Sequence, residues 1–108
     1  MDLSEKKCQP CDGDTPPMDQ NEIETFKKHI EDDWKIIENK KISKEYSFKD
    51  FKHTMEFVNK VAELAEEEGH HPDMQVSYGK VVIELSTHAI KGLSENDFIM
   101  AHKIDNIQ

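Results

Sequence analysis

Arginine is missing from this chain of 108 residues: all fourteen basic residues are lysines, set against 23 Asp and Glu for a formal charge of −9. Without the guanidinium fork that grips phosphates and guanine edges, and with so acidic a balance, nucleic acid is not an expected ligand. Cysteine is scarce. Cys8 and Cys11 cannot build a disulfide framework, which points to a reducing cytoplasm. No apolar run approaches the ~20 residues of a membrane helix, and no charged start followed by an apolar stretch suggests a secretory signal, so a cytoplasmic protein away from membranes is expected. Hydrophobic residues reach only 35%. Eight aromatics and regular apolar spacing nevertheless argue for one folded domain, the usual core serving about 100–200 residues.

Residues 1–18 hold three of the four prolines and both cysteines, and are expected to form an extended or poorly ordered tail before a single domain at 19–108. Asp19 followed by Glu22 matches a capping box, and Ile23, Phe26 and Ile30 predict a helix over about 20–31. The segments 34–38 and 42–47, parted by Asn39-Lys40-Lys41, read as a hairpin. Phe48, Phe51, Met55, Val58, Ala62 and Ala65, widened by Val61 and Leu64, predict the inner face of a long helix that Gly69 ends. Met74–Tyr78 and Lys80–Thr87 form a second strand pair about Gly79, and Ser94 to Asp97 is a capping box opening a last helix with Phe98, Ala101 and Ile104 inward. The expected fold is α+β: a four-stranded antiparallel sheet with helices on one face, in the order α-β-β-α-β-β-α. Its edge strands invite pairing between subunits.

Three of the six histidines lie at element ends. His70 and His71 precede Pro72, which biases the pair toward a rigid extended turn, and His88 follows the last strand. In an antiparallel pair turning at Gly79, His88 returns toward His70 and His71 across sixteen intervening residues. Glu66 lies one helical turn before His70. Several imidazoles beside a carboxylate suit a reaction that needs an acid at one atom and a base at another.

Glu66, His70-His71-Pro72, Tyr78, His88 and Asp97, separated by three, five, nine and eight residues, resemble the motif of the pterin-4a-carbinolamine dehydratase family. The segments 48–51, 57–59, 68–73, 85–88 and 92–98 are also similar to bacterial-type members, as are the paired cysteines and Pro16-Pro17 of the tail. The resemblance implies dehydration of 4a-hydroxytetrahydropterin to quinonoid dihydropterin, in support of tetrahydrobiopterin recycling, with no metal, nucleotide or redox cofactor. It further implies that His70 and His88 transfer protons, that His71 orients the hydroxyl-bearing face, and that Glu66 and Asp97 support them. Gly69, Ser86 and Thr87 would line the pterin site. Family members form dimers or tetramers, and the resemblance leaves open a functional link to a phenylalanine hydroxylase or to another pterin pathway, such as molybdopterin-related metabolism. Vertebrate relatives carry Asp before the paired histidines and Trp two residues after the proline, where this chain has Gly69 and Met74.

Blander roles compete at several positions. His70 and His71 could cap a helix end through its dipole, Asp97 could serve only its capping box, and Glu66 belongs to an acidic run. Three histidines and a carboxylate could hold zinc, but adjacent histidines in an extended segment point to opposite faces, so no metal is expected. Cys8-Gln9-Pro10-Cys11 lacks a second ligand pair and reads as two free thiols; His29, His53 and His102 receive no role. The competing functions are a protein-binding module, of the kind that serves animal relatives as a transcription-factor dimerisation cofactor, and a pterin-binding protein without catalysis.

Overall fold

Asp19 opens the first helix through its capping box: the carboxylate accepts from the Glu22 N–H at 2.9 Å, and Glu22 returns to the Asp19 N–H at 3.2 Å. The computed structural model describes residues 3–10 and 13–107. Helix α1 (Gln20–Lys27) stops short of the expected residue 31, because the next turn tightens: His29 and Ile30 donate to carbonyls only three residues back. Ile30 still reaches the core. Strands β1 (Lys35–Ile37) and β2 (Lys41–Ser47) form the first hairpin. Glu38 and Asn39 both adopt positive φ (53° and 57°), the two left-handed positions that a tight hairpin turn demands. Helix α2 (Phe51–Glu68), strands β3 (Asp73–Ser77) and β4 (Lys80–Leu85), and helix α3 (Glu95–Asp105) complete the chain. The sheet order is β1-β2-β4-β3, antiparallel throughout, with α2 and α3 packed on its apolar face. This is the expected α+β architecture.

The face that α2 buries differs from the expected one. Asp50 accepts from the His53 N–H at 2.8 Å, so the helix begins at Phe51, three residues after Phe48. Phe48 instead donates its N–H to the Gly79 carbonyl and sets its ring 5.1 Å from that of Phe57. The buried positions are Thr54, Phe57, Val61, Ala65 and Glu68, while Phe51 and Ala62 are exposed and Met55 and Val58 are half-buried. The apolar residues of α2 cover more than one face, and the sheet takes the face centred on Phe57 and Val61. Gly69 closes the helix in the left-handed conformation (φ 66°), where a side chain would be strained.

Alternation in β2 and β4 sends Ile42, Tyr46, Val81, Ile83 and Leu85 into the core and leaves Ser43, Glu45, Lys80 and Glu84 on the outer face. Helix α3 is buried well beyond the three inward residues expected of it, with Ile99 and Met100 also enclosed. The first residues supply the extra cover. Apart from one 3-10 turn (Leu3–Glu5), the described part of 1–18 has no regular structure before α1, yet Leu3 is 2% exposed and packs with α3. The Met18 N–H donates to the Leu93 carbonyl at 2.9 Å. Burying Leu3 contributes about 1.5–3 kcal/mol, enough to hold a segment with few apolar anchors. At the far end of α3, the Asp105 carboxylate accepts from the Trp34 indole N–H (2.8 Å), the Lys44 ammonium (2.6 Å) and the Tyr46 hydroxyl.

Candidate active site

The β3–β4 register sets Asp73 opposite Glu84, so the residues just before β3 lie beside those just after β4. His70, His71 and His88 consequently line one cavity of about 370 Å³, together with Gly69, Ser86 and Thr87. Its remaining wall comes from Gln9, Pro10, Ala89 and Asn96. Glu66 and Asp97 do not line it but touch its histidines from behind. Among the described residues no group of three or more His, Cys, Asp and Glu side chains is disposed to hold a metal ion.

Each imidazole has its own carboxylate, and burial separates the three pairs. His70 Nε2 lies 2.6 Å from Asp97 Oδ1; the aspartate side chain is 0% exposed and the histidine 12%. His71 Nε2 meets Glu66 Oε2 at the surface, where solvent weakens the pair. His88 Nε2 stands 3.8 Å from Asp73 Oδ2 with both side chains more than 70% exposed. Asp73 was not among the candidate residues, although it follows Pro72 directly and starts the strand that carries it to His88.

Asp97 does two jobs at once. Oδ2 accepts from the Ser94 N–H at 3.0 Å, completing the capping box, and from the Thr87 hydroxyl at 2.9 Å. Oδ1 is left for His70. A carboxylate oxygen accepts, so the proton of the neutral ring sits on Nε2 and Nδ1 is its basic nitrogen. The Thr87 hydroxyl, spent on Asp97 and on Ser94 Oγ at 2.7 Å, orients the carboxylate.

The tail forms part of the cavity wall, and no periodicity could have disclosed it. Gln9 donates its N–H to Asn96 Oδ1 (2.9 Å), and Asn96 Nδ2 donates back to the Gln9 carbonyl (2.6 Å) across 87 positions of sequence. Beside this clasp, the Cys8 N–H and the Lys103 ammonium donate to the Glu68 carboxylate at 2.9 and 3.0 Å. Burial alone would raise the Glu68 carboxyl, but those two donors bring it below its ordinary value. The Cys8 thiol is pushed up to about 12 by burial and by the adjacent Glu68. Cys11 lies outside the described residues. Alkylation at pH 8 should therefore be slow at Cys8 in the folded protein. Glu68→Gln, which removes the neighbouring charge and loosens the tail, should speed it by about tenfold, as measured by mass spectrometry of the Cys8 peptide. Equal rates in the two proteins would refute this account of the tail.

Fold and cavity together define a small α+β protein with a pocket lined by three imidazoles, each beside a carboxylate. Residues 16–107 match the family described as pterin 4 alpha carbinolamine dehydratase. A protein of Alkaliphilus metalliredigens named "Putative pterin-4-alpha-carbinolamine dehydratase" is 47% identical over 98% of this chain and 96% of its own length. One of the same name from Nitrosomonas eutropha is 49% identical over 96% of this chain and 91% of its own. The crystal structure of a transcriptional coactivator/pterin dehydratase from Brucella melitensis superposes with a TM-score of 0.78 at 29% identity, covering 84% of this chain and 97% of that one. The chain belongs to the pterin 4 alpha carbinolamine dehydratase family and is a hydro-lyase.

Proposed function

We propose that this protein dehydrates 4a-hydroxytetrahydropterin to quinonoid dihydropterin in the cytoplasm, and so returns the pterin to the tetrahydrobiopterin cycle that a phenylalanine hydroxylase draws on. The observation that carries the reading is the convergence of His70, His71 and His88 on one cavity, with His70 held by the fully buried Asp97. In the reaction the C4a–O bond breaks, the departing hydroxide takes a proton to become water, and a ring nitrogen gives up its proton. His70 is the base. Its Nδ1 receives the ring proton, and Asp97 stabilises the imidazolium that forms, as a carboxylate behind a catalytic histidine does. His88, exposed and only loosely paired, exchanges protons with water and serves as the acid. His71 orients the hydroxyl-bearing face, with Glu66 steadying it. Gly69, Ser86 and Thr87 line the ring.

Generating the 4a-hydroxy compound with a hydroxylase and following its ultraviolet decay tests this directly. The protein should accelerate the decay, and it should continue to do so after exhaustive chelation. A folded sample that leaves the decay unchanged would leave only the alternatives, a pterin-binding protein without catalysis or a protein-binding module; the coactivator in the Brucella melitensis protein's name favours the latter. No helix among the described residues is long and apolar enough to cross a membrane.

We also propose that the chain forms a homo-oligomer. Phe51, Val76 and Tyr78 are 49%, 42% and 68% exposed, Met55 and Val58 add half-buried apolar surface on α2, and β3 is a sheet edge with an unpaired side. Large apolar residues in such numbers beside an open edge suit contact between copies. Light scattering should give a mass at least twice the 12.6 kDa of one chain, lowered by Phe51→Glu. A monomer at micromolar concentration would contradict the proposal.

A further inference from the structure

The wall made by Ser86, Thr87 and His88 has a second side. Beyond it lies another cavity of about 350 Å³, lined by the same three residues and, opposite them, by the turn between β1 and β2. The two cavities thus meet along one stretch of backbone. Their chemistry differs: the second has His88 as its one imidazole, and its other charged lining residues are Lys40, Lys41 and Lys91 against Glu38. In a chain of net charge −9, this is a local reversal of sign.

The backbone holds these lysines in place. Lys40 follows the two left-handed residues of the hairpin turn, and its N–H donates to the Ile37 carbonyl at 2.9 Å. Lys91 is itself left-handed (φ 55°), an unfavourable conformation for a lysine. It stays there because the Thr87 N–H donates to the Gly92 carbonyl at 2.8 Å, closing a loop with His88 near one end and Lys91 at the other. Gly92 sits so close beneath Pro17 that a Cβ would come within 2.7 Å of the proline ring, which pins the loop to the tail. Lys41 is paired with Glu84 at 3.3 Å, whereas Lys40 and Lys91 make no ion pair among the described residues.

We propose that this cationic annex receives the substituent a pterin carries beyond its ring system, and that, besides the neutral side chain of biopterin, it admits and binds more tightly pterins whose side chain ends in an anion, a phosphate ester or a carboxylate. The proposal rests on the histidine cavity being the pterin site. A ring seated there has only the Ser86–His88 segment between it and the lysines. An anionic terminus would give Lys40 and Lys91 a charged partner, with up to three donors from each ammonium, whereas a neutral side chain would leave both ammoniums to water.

Calorimetric binding of three probes tests it: 6-hydroxymethyl-7,8-dihydropterin, its phosphate ester, and a dihydropterin with a glutamate-terminated side chain. Wild-type protein should bind at least one anionic probe about tenfold more tightly than the neutral one. The advantage should shrink in 0.5 M salt, by about the screening expected of exposed charges. It should vanish in the double variant Lys40→Gln/Lys91→Asn, the asparagine being chosen because it tolerates positive φ. Unchanged binding of the neutral probe certifies that this variant is folded. Preference for the ester or for the glutamate identifies the anion. Equal affinity for all three probes, or a preference that survives in the double variant, overturns the proposal while leaving the dehydratase reading intact. Failure to bind any pterin, with no effect on decay of the 4a-hydroxy compound, would overturn both.

Discussion

His70→Ala lowers kcat for dehydration by about 10²–10⁴-fold, the usual worth of a general acid or base, measured at a temperature where the variant remains folded. The ring is 12% exposed and its removal takes one partner from the buried Asp97, but Oδ2 keeps its Ser94 and Thr87 donors, so the fold is retained and the loss of rate is one of chemistry. His88→Ala reduces kcat within the same range, since the proton delivered to the leaving hydroxide must then come from water. Asp97→Asn separates position from charge. The amide can still accept from Ser94 and Thr87, but it turns its NH2 toward His70 Nε2, which must then be the unprotonated nitrogen. The tautomer inverts, Nδ1 carries the proton, and the base is lost. We expect kcat to fall by about 10²-fold or more with the helix cap retained. Nitrogen chemical shifts of His70 would show the inversion, and its occurrence together with a loss of kcat at unchanged KM would tie the aspartate to the base. Near-normal turnover in both His70→Ala and His88→Ala would contradict the assigned roles.

Asp105→Ala costs about 3–5 kcal/mol of stability, the loss expected when one partner of a buried ion pair is removed. Lys44 and Asp105 are each only 9% exposed, and no other carboxylate pairs with Lys44 among the described residues, so truncation strands an ammonium in the core. The Tyr46 hydroxyl and the Trp34 indole N–H lose their acceptor in the same step. Burial, together with that carboxylate, holds the Tyr46 hydroxyl far above its ordinary range, and its ionisation would not relieve the strain at neutral pH. For a chain of this size the Tm should drop by on the order of 15 °C. The double variant Asp105→Ala/Lys44→Met, which removes both charges, should recover much of the loss in urea or thermal unfolding. A single variant that unfolds within about 1 kcal/mol of wild type would show that Lys44 finds water or another partner. Asp105 and Asp97 are eight residues apart on α3, about 12 Å along the helix, so this destabilisation should leave kcat of the folded fraction unaffected.

Periodicity and capping chemistry were enough to specify the element order, the antiparallel hairpins and the approach of His88 to His70 and His71, because each depends on neighbours along the chain or across a tight turn. The same local logic misjudged the phase of α2. Its apolar residues occupy more than one face, and only the sheet could select Phe57 and Val61 over Phe51 and Ala62. Asp97 had two readings in the sequence, helix cap and support of the histidines; the structure shows the cap through Oδ2 and a contact with His70 through Oδ1. Contacts of long sequence separation stayed invisible: the Gln9–Asn96 clasp, the Cys8–Glu68 bond and the lysine-lined annex beside Ser86–His88. No residue type or spacing encodes such meetings. They exist because a core that closes in three dimensions brings together polar groups whose partners must then be supplied by whichever segment happens to lie there.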